Sequence, residues 1–206
     1  MTSVKAKTRL GVLISGSGTN LQAIIDRSER GDLHAEVVCV ISNKADAFGL
    51  ERARKRGIAA IHLDHRSFSG RSEYDGALVK TLQEFNVDLV ILAGFMRIVT
   101  PVLLDAFHNR VMNIHPALLP AFPGLDAQKQ ALAYGAKLSG CTVHFVDAGT
   151  DTGPIILQAT VPILEDDTED SLAERIHHEE HKLYPAAIQL FAEGRLKVEG
   201  RRVIIS

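Results

Sequence analysis

Cysteine, long apolar runs and a surplus of either charge are what this chain of 206 residues has little of, and each shortage excludes something. Only two cysteines occur, Cys39 and Cys141, and each lies inside an apolar run of strand character. Buried free thiols are expected there instead of a disulfide, which fits a reducing compartment. The first apolar run, Leu10–Ile14, is much too short for a signal-peptide core, and nothing elsewhere approaches the roughly 20 apolar residues that span a bilayer. No membrane role is expected, and the cytoplasm is the expected location. The net charge is −2, so no basic surplus points to nucleic acid as a partner. No internal repeat, low-complexity tract or linker marks a second domain. With 46% apolar and 23% charged residues, one globular domain over residues 1–206 is expected, with 1–8 as a frayed start.

What the chain does contain is a regular alternation of short apolar runs and segments of helical period. Leu10–Ile14, Val37–Ile41, Ile58–Leu63, Val87–Ala93 and Arg110–Ile114 read as strands. Between them, Leu21, Ile24 and Ile25 fall at helical spacing before a stop at Gly31, Ala47–Arg56 closes at Gly57, and Ser72–Phe85 carries an apolar face. Pro101 suits the first turn of a short helix. Further on come a helix near Asp126–Tyr134, β-like runs at Cys141–Val146 and Ile155–Val161, and a long helix from about Ser171 to Glu193. Leu196–Val198 and Val203–Ile205 flank Gly200 as a candidate hairpin. Alternation of this kind predicts an α/β fold, a mostly parallel sheet with helices on both faces. Ligands bind such sheets beyond the carboxyl ends of the strands. Three loops lie there: the glycine loop after the first strand, the Gly94 turn, and the tip Asn113–His115.

The loop Ser15-Gly16-Ser17-Gly18-Thr19-Asn20 combines backbone N–H groups with a helix start, an arrangement suited to a phosphate. It is not a dinucleotide fingerprint, because Leu21 stands where a third glycine belongs and Ser42-Asn43-Lys44 ends the second strand without an acid. It also lacks the Gly-Lys-Ser/Thr ending of a Walker loop. A tight turn capped by Thr19 or Asn20 is the other reading, and the loop alone leaves both open. In Ala93-Gly94-Phe95-Met96-Arg97-Ile98, Gly94 would let a ligand approach the backbone, while Phe95, Met96 and Ile98 suit the wall of a flat apolar cleft. Core packing beside a solvated Arg97 is the alternative. His177 and His181 share a helical face, yet His178-Glu179-Glu180-His181 lacks the His-Glu-x-x-His spacing and no third ligand is evident, so no metal is expected. This helix edge reads as a sugar or phosphate contact or as a solvated face. His144, inside Val143–Val146, is expected to be a satisfied strand histidine.

Asn113-Ile114-His115-Pro116 is the most informative stretch. Asn113 and His115 sit two apart at the end of an apolar run, so in an extended strand both side chains point to one side. With Asp151 from the later Thr150-Asp151-Thr152-Gly153-Pro154 turn, an amide donor, an imidazole and an orienting carboxylate would meet at one edge of the sheet. That set suits a reaction passing through a tetrahedral oxyanion. No activated serine or cysteine is evident beside it, which favours direct transfer between two bound substrates. The segment Pro116–Gly124 holds three prolines and reads as a shaped loop.

These motifs, with Ser42-Asn43-Lys44-Ala45-Asp46-Ala47, Ala117-Leu118-Leu119-Pro120 and Ile155-Ile156-Leu157-Gln158, resemble the folate-dependent formyltransferase family nearly end to end. The resemblance implies a doubly wound nucleotide-binding sheet. It also implies passage of a formyl group from 10-formyltetrahydrofolate, a cosubstrate, to the primary amine of glycinamide ribonucleotide in purine synthesis. By matching positions, Gly18, Thr19 and Asn20 would hold the ribonucleotide phosphate, with Glu180 on the ribose and His177 close by. Arg71, Met96, Arg97, Ile98, Val99 and Asn113 would contact the folate, as would the loop from Asp147 to Asp151. His115 matches the family's catalytic histidine and Asp151 its essential aspartate, and Leu118–Gly124 would close over the substrates. One departure is Asp126, where many relatives carry histidine after the corresponding Gly-Leu pair; it bears on loop contacts and not on the three central residues. The expected partners are therefore two small molecules, for a monomer or weak homodimer.

Rival readings are weaker. A formyltetrahydrofolate deformylase usually carries an N-terminal regulatory domain, and a first strand near Arg9 leaves no room for one. A methionyl-tRNA formyltransferase needs a further C-terminal domain and a basic surface, which a slightly acidic chain stopping at Ser206 does not suggest. A non-catalytic nucleotide-binding module would leave Asn113, His115 and Asp151 without a purpose. The incomplete fingerprint disfavours an NAD-dependent oxidoreductase.

Overall fold

The computed structural model describes residues 6–206. The chain runs β1 (Thr8–Ile14), α1 (Thr19–Glu29), β2 (Ala35–Ser42), α2 (Phe48–Lys55), β3 (Ala59–His62), α3 (Arg71–Glu84), β4 (Leu89–Leu92), α4 (Pro101–Ala106) and β5 (Val111–His115). It continues through α5 (Ala127–Tyr134), β6 (Leu138–Phe145), β7 (Ile155–Pro162), α6 (Glu169–Ala192), β8 (Leu196–Glu199) and β9 (Arg202–Ile205). Of the expected frayed start, residues 1–5 lie outside the described residues. Thr8 already pairs with Ala35 in β1, so the strand begins two residues ahead of its apolar run.

Among the described residues one nine-stranded sheet forms, in the order β3-β2-β1-β4-β5-β6-β7-β9-β8. The first five strands are parallel to one another. The order steps outward from β1 to β3 and then restarts on the other side of β1 with β4, which puts the reversal between β1 and β4. In open α/β sheets that reversal opens a crevice for ligands. At β6 the sheet turns antiparallel, β6 running against both β5 and β7, while β9 pairs parallel to β7 and antiparallel to β8. No helix separates β6 from β7, and without a crossover element consecutive neighbours can pair only antiparallel.

Alternation of side chains fixes the register of the central strands. In β1 and β4, Leu10, Val12, Ile14, Leu89 and Ile91 enter the core under α1, α2 and α6, while Leu13, Val90 and Leu92 enter the core under α3 and α4. All of these are 0–5% exposed. Full burial of one such side chain is worth about 1.5–3 kcal/mol, and a slip by one residue would reverse every facing at once. Gly11 interrupts the series because a Cβ there would come 2.4 Å from Leu82 Cδ2. Helix α6 starts two residues earlier than its apolar period, since Thr168 accepts from the Ser171 N–H and closes a capping box. Its fully buried Tyr184 places its hydroxyl between the carbonyls of Leu92, the last residue of β4, and Met112, within β5, 3.0 and 2.9 Å away.

Candidate active site

Strand β5 delivers Asn113 and His115 to the same side, while Met112 and Ile114 alternate into the core. His115 is 4% exposed. Its Nδ1 lies 3.3 Å from Asp151 Oδ2, and Asn113 Nδ2 lies 3.5 Å from Asp151 Oδ1. The three residues singled out from sequence therefore converge. Asp151 sits in the left-handed region at φ 54, a conformation that costs a non-glycine residue about 1–3 kcal/mol and concentrates at functional sites. Its loop is held in place by Asp147, whose Oδ1 accepts from the Gly149 N–H and the Thr152 hydroxyl at 3.1 and 2.6 Å. At Gly153 a Cβ would stand 1.7 Å from the Phe145 carbonyl oxygen, so only glycine fits that turn.

A fourth side chain completes the group. His144 pairs opposite Asn113 across β5 and β6, with Nε2 3.2 Å from Asn113 Nδ2 and 3.7 Å from Asp151 Oδ1. Its Nδ1 lies 2.9 Å from the Phe145 carbonyl, which can only accept, so Nδ1 carries the proton and Nε2 offers a lone pair to the Asn113 amide. Burial pushes His144 below the ordinary imidazole range and favours its neutral form. It is the satisfied strand histidine expected from sequence, but its second nitrogen belongs to the site, which sequence reasoning missed. The alternation within β6 says which face His144 takes; that its cross-strand neighbour is Asn113 depends on a register between distant segments.

The loop 116–124 is seated on these groups. His115 Nε2 lies 2.8 Å from the Phe122 carbonyl, and the Gly124 N–H donates to Asp151 Oδ2 at 2.8 Å. The base of the loop is pinned by Thr142, a fully buried residue whose hydroxyl donates to the Ala117 carbonyl and accepts from the Leu119 N–H and Gln158 Nε2. One proton and two lone pairs are thereby all used. Both ring nitrogens of His115 face acceptors, an arrangement fully satisfied when both carry protons.

A cleft of about 680 Å³ opens over this group. Of the residues expected to meet folate, Met96, Arg97, Ile98, Val99, Asn113 and Asp147 line it. Arg71 does not; it is the exposed first residue of α3, outside the lining. His177 and Asp126 also line the cleft, Asp126 in left-handed backbone at the start of α5. Among the described lining residues there is no serine or cysteine. Burial drives the thiols of Cys39 and Cys141 up to about 12, which removes both as nucleophiles at neutral pH.

The glycine loop lies beside this cleft. Gly18 stands before α1 at φ 69, and a Cβ there would meet Gly49 Cα at 2.8 Å. Neither Thr19 nor Asn20 caps the helix; among the described residues no side chain does. The capped turn, one of the two readings of this loop, is therefore not formed, and the first-turn N–H groups keep their capacity for an anion. Asn20 instead donates to Glu180 Oε2 at 2.8 Å, tying α1 to α6. Glu180 is 3% exposed, and burial raises its carboxyl above the usual carboxylate range. Thr19, Gln22, Arg52 and His181 line a second depression of about 490 Å³ next to the loop. Arg52 holds the loop by donating to the Ser17 carbonyl at 2.9 Å. The His177 and His181 rings stack at 6.4 Å, and among the described residues no group of three or more His, Cys, Asp or Glu side chains is placed to hold a metal ion. Among them, too, no helix is long and apolar enough to cross a membrane.

The formyl transferase family matches residues 8–188, and the chain belongs to that family. It is 49% identical to the phosphoribosylglycinamide formyltransferase of Escherichia coli (strain K12), over 91% of this chain and 88% of that protein. A crystal structure of glycinamide ribonucleotide transformylase 1 from Symbiobacterium toebii superposes with a TM-score of 0.96 at 60% identity, covering 97% of this chain and 94% of that one. The trifunctional purine biosynthetic protein adenosine-3 of Drosophila melanogaster is 52% identical over 91% of this chain, which spans 14% of that protein's length.

Proposed function

We propose that this protein transfers the formyl group of 10-formyltetrahydrofolate to the amine of glycinamide ribonucleotide in purine synthesis, as one formyltransferase domain acting in the cytoplasm on two small molecules. The observation that carries the reading is the meeting of Asn113, His115 and Asp151 at one cleft that offers no serine or cysteine nucleophile. Direct attack of the amine on the formyl carbon builds negative charge on the formyl oxygen. Asn113 Nδ2 has one hydrogen engaged by His144; the other makes only the long 3.5 Å contact with Asp151 and is the one to turn to that oxygen. Both ring nitrogens of His115 are engaged, Nε2 by the Phe122 carbonyl and Nδ1 by Asp151, so His115 serves the oxygen through Nε2 once the loop carries Phe122 away, while Asp151 orients the ring. Each donor of this kind lowers a barrier by about 2.7–4 kcal/mol. Asp151 then moves the proton from the attacking nitrogen to the leaving folate nitrogen, directly or through a water.

The ribonucleotide phosphate is placed at the uncapped start of α1, on Gly18, Thr19 and Asn20, with Glu180 at the ribose and His177 at the junction with the cleft. The donor's ring system lies along Met96–Val99 and the loop Asp147–Asp151. Arg71, at the exposed start of α3, meets the far end of the folate. The test is an assay of folate deformylation with and without glycinamide ribonucleotide. Strict dependence on the amine supports a transferase, and equal rates in its absence would mean a hydrolase.

A further inference from the structure

Ser15 stands at the sheet reversal, between the end of β1 and the turn after β4. Its backbone N–H donates to the Gly94 carbonyl at 3.0 Å, and its hydroxyl accepts from the Met96 N–H at 2.9 Å. The hydroxyl proton goes to Asn43 Oδ1, 2.6 Å away at the end of β2. Ser15 and Asn43 are 5% and 6% exposed, so little water is at hand to replace either bond. A serine hydroxyl has one proton and freely rotates about its C–O bond. With that proton held by Asn43, a lone pair is aimed at Met96; with Asn43 removed, the hydroxyl can turn and the Met96 N–H loses a fixed acceptor. Gly94 is at φ 73, so the turn it begins has a backbone course that its own side chains do not impose. Two bonds to one residue of a neighbouring strand do.

The geometry points to Ser15 and Asn43 as positioning residues for the formyl donor: their relay sets the main chain of residues 94–98 that receives the folate, although Ser15 opens the ribonucleotide loop in sequence. This rests on the proposal that the folate lies along that turn. Neither side chain lines the cleft, so each acts through the Met96 backbone and not by touching substrate.

The test uses steady-state kinetics of Ser15→Ala, Asn43→Leu and the double variant, with the Met96 amide followed by NMR in the wild type during titration with a non-transferring folate analogue. The Met96 resonance should move on analogue binding. Each single variant should raise KM for the formyl donor about tenfold and leave KM for the ribonucleotide within about twofold, with melting temperatures near that of the wild type. The double variant should be no worse than the poorer single one, because both remove the same bond to Met96. A silent Met96 resonance would overturn both the folate placement and the relay. A resonance that moves, with an unchanged donor KM in both single variants, would overturn the relay alone, as would equal rises in both KM values.

Discussion

Asn113 and His144 face each other across the antiparallel β5–β6 pair, and the amide of one donates to the imidazole lone pair of the other at 3.2 Å. An asparagine amide can point either its oxygen or its nitrogen at a given neighbour. A neutral His144 with Nδ1 held by the Phe145 carbonyl settles that choice and fixes the nitrogen as the end that faces His144, leaving, in the proposed mechanism, the second amide hydrogen for the reacting carbonyl. Substitution of His144 by Phe keeps a flat ring and removes the acceptor. Turnover should fall about ten- to a hundredfold with ribonucleotide affinity unchanged, as measured by kcat and by direct titration of the ribonucleotide.

The same histidine gives the acid side of the profile a sign. Its ionisation lies below the ordinary imidazole value of about 6.5, so the native state binds this proton more weakly than the unfolded chain does. The contribution to stability is therefore full above that value and is lost as pH falls below it. Melting temperature should drop on acidification through this window, and the slope should flatten in His144→Phe.

Asp151→Asn keeps the size of the side chain and removes the charge beside His115. Turnover should fall by about a hundredfold or more, the range set by loss of a positioned acid–base group, while ribonucleotide binding is retained. Near-normal turnover would take Asp151 out of the mechanism.

Gly18→Ala places a Cβ against Gly49 Cα in backbone at φ 69. Ribonucleotide affinity should weaken and stability fall by about 1–3 kcal/mol, while folate binding stays close to wild type. Calorimetric titration with each ligand separates the two effects; equal loss of both would indicate a general fault in folding.

Glu180 has the opposite pH sign from His144. Its carboxyl is raised by burial, so its contribution to stability is full below the ordinary carboxylate value and is lost as pH climbs through the raised one. Glu180→Gln should hold the bond to Asn20 in a neutral form, raise the melting temperature at neutral pH and weaken the ribonucleotide. A melting temperature unchanged from pH 5 to 8 in both proteins would contradict the assignment.

How much of this was legible in the primary structure depended on whether a contact is local. The period-2 runs of β1 and β4 and the spacing of Asn113 and His115 are properties of single strands, so they could be read directly. His144 could not be paired with Asn113 because that neighbourhood is set by the register of strands 31 residues apart. The Phe122 carbonyl and the Gly124 N–H are main-chain groups, which any residue carries, so no side-chain pattern announces them. Thr19 and Asn20 offered a cap as one of two readings because their side chains suit that task, yet the cap position falls on Gly18, and Asn20 donates to Glu180 from α6. The antiparallel turn of β6 and β7 followed from the missing helix between them, a feature visible only as an absence.

Because loop 121–124 meets His115 and Asp151 through its peptide groups, those contacts depend on the path of the chain, which left-handed backbone at Phe122 and Gly124 helps to set. A saturation library across those four positions should tolerate wide chemical variety at Ala121 and a narrower set at Phe122, whose backbone is left-handed and whose ring meets Tyr134. Deletions or insertions of a single residue should be silent to composition and ruinous to catalysis.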